Sequence, residues 1–308
     1  MSNGTPDFRI PVGDWVEAGV DWIQANFTGV LDSISDGLGL VIGSFEDALL
    51  AIPPLLLAVL IVALAWWRVG WHFALFAVAA MALLFGMDIW QETVATLALV
   101  IGSSLVALAI GIPIGIAMAR SDTVEAIARP ILDFMQTMPP FVYLIPAAIF
   151  FGLGKVPGAI ATLIFAMPPA VRLTNLGIRQ VSREHVEAGQ AFGCTDRQLL
   201  FKVQLPLALP SIMAGVNQTI MLALSMVVIA SMIGAGGLGN TVLTGIQRLN
   251  VGLGFEGGLG VVLLAILLDR ITQSFGQRSG ATSSNAGAGL LRRLKHALAR
   301  TDSTQPEA

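Results

Sequence analysis

Residues 93–119 decide the fold class, because they read TVATLALVIGSSLVALAIGIPIGIAMA without a single charged side chain. An α-helix rises about 1.5 Å per residue, so a helix of this length exceeds the roughly 30 Å of hydrocarbon in a bilayer. Further uncharged runs lie outward from it in both directions, at 48–67, 69–87, 134–154, 156–171 and 203–247. The sequence therefore predicts an all-α polytopic membrane protein.

The composition excludes several other classes of protein. Apolar residues make up 55% of the 308 positions and charged residues only 12%, which is far from the balance of a soluble globule. Cys194 is the only cysteine, so the chain forms no internal disulfide and holds no cysteine metal cluster. The three histidines lie far apart and follow no metal-ligand spacing. A nucleic-acid partner is not expected, since no basic stretch is interleaved with aromatic residues.

Hydropathy predicts about seven transmembrane helices, near 49–67, 70–88, 93–118, 131–152, 156–176, 209–233 and 257–275. Basic loops are retained on the cytoplasmic side of a membrane. With the amino terminus outside, fourteen of the seventeen Lys and Arg residues fall inside and only Arg9, Lys155 and Arg248 fall outside. We therefore expect the amino terminus outside and the carboxy terminus in the cytoplasm.

The two ends of the chain differ in charge. Residues 1–47 form an acidic segment, interleaved with Trp15, Trp22 and Phe27 at helical spacing. This pattern predicts an amphipathic helix on the outer membrane surface, with partner docking as the alternative. Residues 277–308 form a basic cytoplasmic tail, suited to contact with anionic lipid. Residues 48–90 are expected to add two transmembrane helices before the main domain at 91–276.

A long cytoplasmic loop at 177–208 lies between the fifth and sixth predicted spans. Gly193 suits a left-handed helix stop, and Thr195 with Gln198 matches a capping start for a second helix that ends before Pro206. The apolar residues of this helix pair need a surface to bury against, either the protein's own helices or a soluble partner. They are Phe192, Leu199, Leu200 and Phe201.

The same loop resembles the coupling-loop signature of permease subunits of bacterial ATP-binding-cassette (ABC) importers. The matching residues are Glu187-Ala188-Gly189, then Gly193 after three residues, then Val203-Gln204-Leu205-Pro206 after nine. Gly189 stands where the family usually has alanine. Further stretches at 133–143, 165–169, 202–210, 214–218 and 222–233 resemble the glycine betaine/proline-betaine permeases.

This resemblance implies the transmembrane domain of a type I ABC importer at 91–276, present as two permease copies in the bacterial inner membrane. A separate ATPase would bind ATP and Mg²⁺, and a separate extracytoplasmic protein would deliver the solute. We expect no cofactor in this chain and no ATPase activity of its own, because no Gly-x-x-x-x-Gly-Lys-[Ser/Thr] motif occurs.

The resemblance also assigns residues to ATPase coupling. Glu187 and Arg197 would make polar contacts, Phe192 and Leu199 apolar contacts, and Gly189 and Gly193 the close-packed turn. Ala188, Leu205 and Pro206 complete the signature.

Candidates for the solute pathway come from the spans. Asn217 and Gln218 lie within the sixth span, where they should face other helices or a wet cavity. Phe141 and Tyr143 on the fourth span offer cation–π surfaces to a quaternary ammonium, with helix packing as the alternative role.

The expected function is that of a permease subunit for glycine betaine or related quaternary-amine osmoprotectants. One alternative keeps the architecture and changes the solute to choline, carnitine, proline or another small molecule. The other is a stand-alone secondary transporter, which the scarcity of charges inside the spans disfavours.

Overall fold

The computed structural model describes residues 11–277, so the predicted basic tail and the first ten residues lie outside it. Within that range the chain forms helices and short connections, with no strand. The α-helices are α1 Val12–Ala51, α2 Pro54–Arg68, α3 Trp71–Gly86, α4 Trp90–Arg120, α5 Asp122–Thr137, α6 Pro140–Phe151, α7 Lys155–Arg179, α8 Arg183–Ala191, α9 Asp196–Leu199, α10 Leu205–Ala230, α11 Gly237–Gln247 and α12 Val251–Gln277.

Within residues 11–277, four continuous helical segments are long and apolar enough to cross a membrane. They are α4, α7, α12 and the run Asp196–Ile233 that contains α10. Two further apolar segments are pairs of helices bent by about a right angle, α1 with α2 at 101° and α5 with α6 at 100°. The helix α3 is apolar but shorter, with 16 residues. The all-α polytopic prediction is confirmed. Of the seven predicted segments, up to six are long and apolar enough to span a membrane when each bent pair counts once, and α3 is too short.

Several predicted boundaries are wrong. The segment predicted at 49–67 includes the end of α1 and breaks at Ile52 and Pro53. The segment predicted at 131–152 breaks between α5 and α6, where Pro139 and Pro140 prevent continuous helical hydrogen bonding. The last span begins at Val251, before the predicted 257, and the glycine-rich region ahead of it contains α11.

Small residues bring the central helices α4, α7 and α10 into close contact. A Cβ built on Gly115 of α4 would lie 2.6 Å from the carbonyl oxygen of Val171 and 2.7 Å from Cβ of Thr174, both on α7. A Cβ on Gly215 of α10 would lie 3.2 Å from the carbonyl oxygen of Pro169. Small residues at such positions let membrane helices approach closely, which fixes α7 between the other two.

Contacts at the helix ends pair segments that the charge rule assigns to the same side. At the predicted outer end, Lys155 Nζ lies 2.6 Å from Glu46 Oε2, and the Leu238 amide donates to Thr96 Oγ1 at 2.8 Å. At the predicted inner end, Arg68 donates to the Ser274 carbonyl oxygen at 3.1 Å and stacks on Phe275 at 3.8 Å. The fold thus has two distinct ends.

Candidate coupling loop and solute groove

The loop between α7 and α10 begins with α8, which ends in a Schellman motif. Gly193 has φ +77°, in the left-handed region. The Cys194 amide donates to the Gly189 carbonyl at 3.0 Å, and the Gly193 amide donates to the Gln190 carbonyl at 2.9 Å. These two hydrogen bonds satisfy carbonyls that a helix end otherwise leaves free. The left-handed stop predicted at Gly193 is present.

A capping box starts the second helix of the loop. The Gln198 amide donates to Thr195 Oγ1 at 3.4 Å, and the Thr195 amide donates to Gln198 Oε1 at 3.0 Å. The short helix α9 then continues through a π-helical turn, Leu200–Gln204, directly into α10. The predicted stop before Pro206 is therefore wrong. In the π turn the Leu205 amide reaches Leu200 O, and Pro206 falls in the first turn of α10, where no proline N–H is needed.

The apolar residues of the loop divide into a buried pair and an exposed pair. Leu199 and Leu200 are 7% and 3% exposed, and Leu200 packs with Ile178, Ala208 and Ile212. Leu199 packs over Gly189, where an added Cβ would lie 2.7 Å from its Cδ1. Leu199 was expected as a contact for the ATPase, but it is part of the loop's own packing.

Other residues of the loop are exposed. Phe192 is 90% exposed and Phe201 55%. Glu187, Ala188 and Arg197 are exposed as well. We call these five residues the loop surface. An exposed phenyl ring flanked by charges of both signs is typical of a surface that a partner covers.

A polar network not identified in the sequence ties the base of this loop to two other helices. Arg179, the last residue of α7, donates to the Met118 carbonyl of α4 at 2.9 Å and to Asp122 Oδ1 of α5 at 2.7 Å. It also lies 3.0 Å from Glu125 Oε2 and donates to Asn175 Oδ1 at 3.1 Å. Since Met118, Asp122 and Glu125 lie far from Arg179 in sequence, no local motif identifies the network.

The four pathway candidates do not form one site. Tyr143 is 7% exposed and its hydroxyl donates to the Met135 carbonyl, so it joins α6 to α5 across the break between them. Phe141, on the same helix, is 54% exposed. Asn217 and Gln218 instead line a groove of about 460 Å³ between α10 and α12.

Clusters that could bind a metal are absent from residues 11–277, where no three His, Cys, Asp or Glu side chains are suitably grouped.

Comparison with known protein families gives one match, over residues 111–280, to the binding-protein-dependent transport system inner membrane component family. Among similar proteins, the glycine betaine/carnitine transport permease protein GbuB of Listeria monocytogenes is 51% identical, over 88% of this chain and 97% of that protein. The glycine betaine transport system permease protein OpuAB of Bacillus subtilis is 49% identical, over 86% and 94%. The glycine betaine/proline betaine permease protein ProW of Escherichia coli is 47% identical, over 88% and 76%.

A similar fold is present in the MetNI methionine ABC transporter in an inward-facing conformation. Its matching chain has a TM-score of 0.57 and 20% identity, with 62% of this chain and 95% of that chain covered. At this identity the similarity concerns the fold, which is that of a type I ABC importer transmembrane domain. Together with the family match over 111–280, it leads to one conclusion: this chain belongs to the binding-protein-dependent transport system inner membrane components.

Proposed function

We propose that this chain is the permease subunit of an ATP-driven importer of glycine betaine or a related quaternary-amine osmoprotectant. The observation that carries the proposal is the similarity to three relatives, each about half identical along most of the chain and each named for glycine betaine transport. A separate ATPase hydrolyses ATP, and an extracytoplasmic binding protein delivers the solute. Carnitine is the second candidate solute, since the name of the Listeria relative includes it.

We propose that the loop surface is the binding site for the ATPase. Phe192 supplies the apolar anchor, while Glu187 and Arg197 supply charged contacts at its edge. The buried residues Leu199 and Leu200 make the loop a stiff unit, so that a displacement of its surface moves the attached helices as well.

Arg179 extends this unit into the membrane domain. Because its guanidinium holds α4 and α5 as well as its own helix α7, movement of the loop is passed to three helices at once. The next helix after α5 is α6, which follows a right-angle bend. This movement of the helices would switch the permease between inward-opening and outward-opening states.

A second copy of the chain is proposed to complete the pathway. One face of α10 stays exposed along its length and mixes apolar, small and polar side chains, unlike a uniformly apolar lipid-facing surface. Its residues are Leu207, Pro210, Ala214, Gln218, Met221 and Ser225. We infer that two such faces meet around the solute path.

The orientation of the chain is proposed from the charge rule, with the amino terminus outside and the loop surface in the cytoplasm. Since α1 lies about perpendicular to α2, the exposed amino-terminal part of α1 would then run along the outer surface of the membrane, while Ile42 packs against Gly102 of α4. Its exposed Trp15 and Trp22 suit the interface between lipid and water.

Uptake measurements test the function. Cells that lack other betaine transporters would express this chain with its ATPase and its binding protein, and each partner would be omitted in turn. Uptake of radiolabelled glycine betaine that needs all three proteins is the expected result. Uptake by the chain alone would contradict the proposal and indicate a secondary transporter. Uptake of carnitine or choline in place of glycine betaine would support an ATP-driven importer with a different solute.

A further inference from the structure

A carboxylate lies among the membrane helices without a basic partner in the part of the chain that the structure describes. Asp269 of α12 is half-buried and forms no ion pair within residues 11–277. Its Oδ1 accepts hydrogen bonds from Asn217 Nδ2 at 2.8 Å and from Gln273 Nε2 at 2.7 Å. A charged side chain in a membrane span is costly, and such residues usually serve a ligand or a pathway.

These two hydrogen bonds fix the orientation of both amides. Because each NH₂ group points at Asp269, each amide oxygen points away from it. The Asn217 oxygen is buried and has no hydrogen-bond partner. A buried acceptor without a donor is unfavourable, so this oxygen favours a positively charged neighbour.

The groove between α10 and α12 lies against this cluster. Asn217 and Gln273 form part of its wall, and Gln218 adds a third amide that makes no hydrogen bond with other described residues. The remaining wall is apolar and small, formed by Pro210, Met213, Ala214 and Gly276. A volume of about 460 Å³ is within the range of small-molecule sites, roughly 300–1,000 Å³.

We propose that this groove is a transient binding site inside the permease for the quaternary ammonium group of the transported solute, an inference that rests on the proposed function. A trimethylammonium group has no N–H to donate. It is therefore stabilised by the negative field of Asp269 and the amide oxygens and by contact of its methyl groups with Met213 and Pro210. The N–H groups of Gln218, which donate to no other described residue, are available to the carboxylate end of a betaine.

A small metal ion suits the groove less well. Hard cations require several oxygen ligands around the ion, whereas four of the seven residues that line this groove have no polar side-chain oxygen or nitrogen.

The test uses two variants of the reconstituted permease–ATPase complex. Asp269→Asn removes the charge and keeps the shape, and Gln218→Leu removes an exposed amide whose loss leaves no hydrogen-bond partner unpaired. Asp32→Asn, the same charge change at an exposed position of α1, is the control. The assays are glycine betaine uptake with saturating binding protein, and equilibrium binding of radiolabelled glycine betaine to the complex in nanodiscs without binding protein.

Both groove variants are expected to lower the maximal uptake rate and the direct binding about tenfold, the usual scale for one lost charge-assisted contact. The control should match the wild type, and the binding protein's own affinity should not change. If Asp269→Asn lowers the unfolding temperature, its loss of uptake could come from instability, and the result for Gln218→Leu then tests the proposal. The proposal would be overturned if the wild-type complex binds glycine betaine directly and Gln218→Leu shows the same uptake and the same binding as the wild type. The absence of direct binding to a wild-type complex that transports would also overturn it. Absence of wild-type uptake with all partners present would instead count against the proposed function.

Discussion

A single backbone conformation shapes the loop at the residue scale. Gly193 has φ +77°, and the two hydrogen bonds that end α8 depend on it. The left-handed conformation costs a residue with a Cβ about 1–2 kcal/mol, and it costs asparagine less. The end of α8 therefore favours glycine because of its backbone conformation, although its surroundings offer space for a side chain.

Gly193→Ala is expected to destabilise the loop by about 1 kcal/mol and to speed amide hydrogen exchange at Cys194 roughly fivefold. Gly193→Asn is the matched control, because asparagine tolerates this conformation, and should exchange at nearly the wild-type rate. Equal exchange rates in Gly193→Ala and the wild type would show that the Schellman motif does not hold the loop together.

Phe192 tests the loop surface directly. Since the ring is 90% exposed, Phe192→Ala should leave the unfolding temperature of the permease unchanged. We expect its affinity for the ATPase to fall at least tenfold, because central aromatic anchors often contribute about 2 kcal/mol or more to an interface. Binding of the purified ATPase in nanodiscs measures this effect.

Leu153→Ala provides the control for Phe192→Ala. Leu153 is 78% exposed and lies at the predicted outer end of the chain, so its truncation should not change ATPase binding. Similar losses in the two variants would mean that the effect of Phe192→Ala is unspecific.

Among the elements, the close contact of α4 with α7 depends on Gly115. A Cβ there would overlap the backbone of α7, which cannot yield without moving the whole helix. Gly115→Ala should cost about 1–3 kcal/mol and lower the unfolding temperature in detergent. Gly29→Ala is the control, because nothing lies within 4 Å of its added Cβ and alanine is the better helix former. An unchanged unfolding temperature in Gly115→Ala would contradict the packing.

Arg179 links three helices, so its loss should act at the scale of elements. Arg179→Ala removes the donor to the buried Asn175 Oδ1 and one of the cations beside Glu125, and should cost about 1–3 kcal/mol. Uptake should fall more than ATPase binding, since the loop surface itself stays intact. Arg179→Lys should restore only part of the uptake, because an ammonium lacks the planar fork of donors. Parallel losses of uptake and ATPase binding would argue against a linking role.

Local signals in the sequence predict elements well and their bends poorly. Gly193 and Thr195 are identified correctly because a stop and a cap depend on a few neighbouring residues. The segment predicted by hydropathy at 131–152 runs through the right-angle break before Pro140, because an average over a window carries no information on the direction of the chain. The burial of Leu199 and the partners of Arg179 and Asp269 depend on chain segments brought together only by folding.

For the whole molecule, contacts at the two ends agree with the charge distribution. Glu46 with Lys155 and Arg68 with Ser274 each join segments of one predicted side. The contacts relate the segments to one another, whereas the direction of the whole chain across the membrane comes from the distribution of Lys and Arg. Direct labelling of the intact protein determines that direction.

The proposed coupling requires that the loop surface be cytoplasmic and covered by the ATPase, and Cys194 tests both most directly. This only cysteine of the chain is partly exposed and follows Gly193 within the loop. A membrane-impermeant maleimide should label it in inside-out vesicles and not in intact cells. Labelling in the vesicles should slow markedly once the ATPase is added. Labelling from outside the cell, or labelling at the same rate with and without the ATPase, would contradict the account.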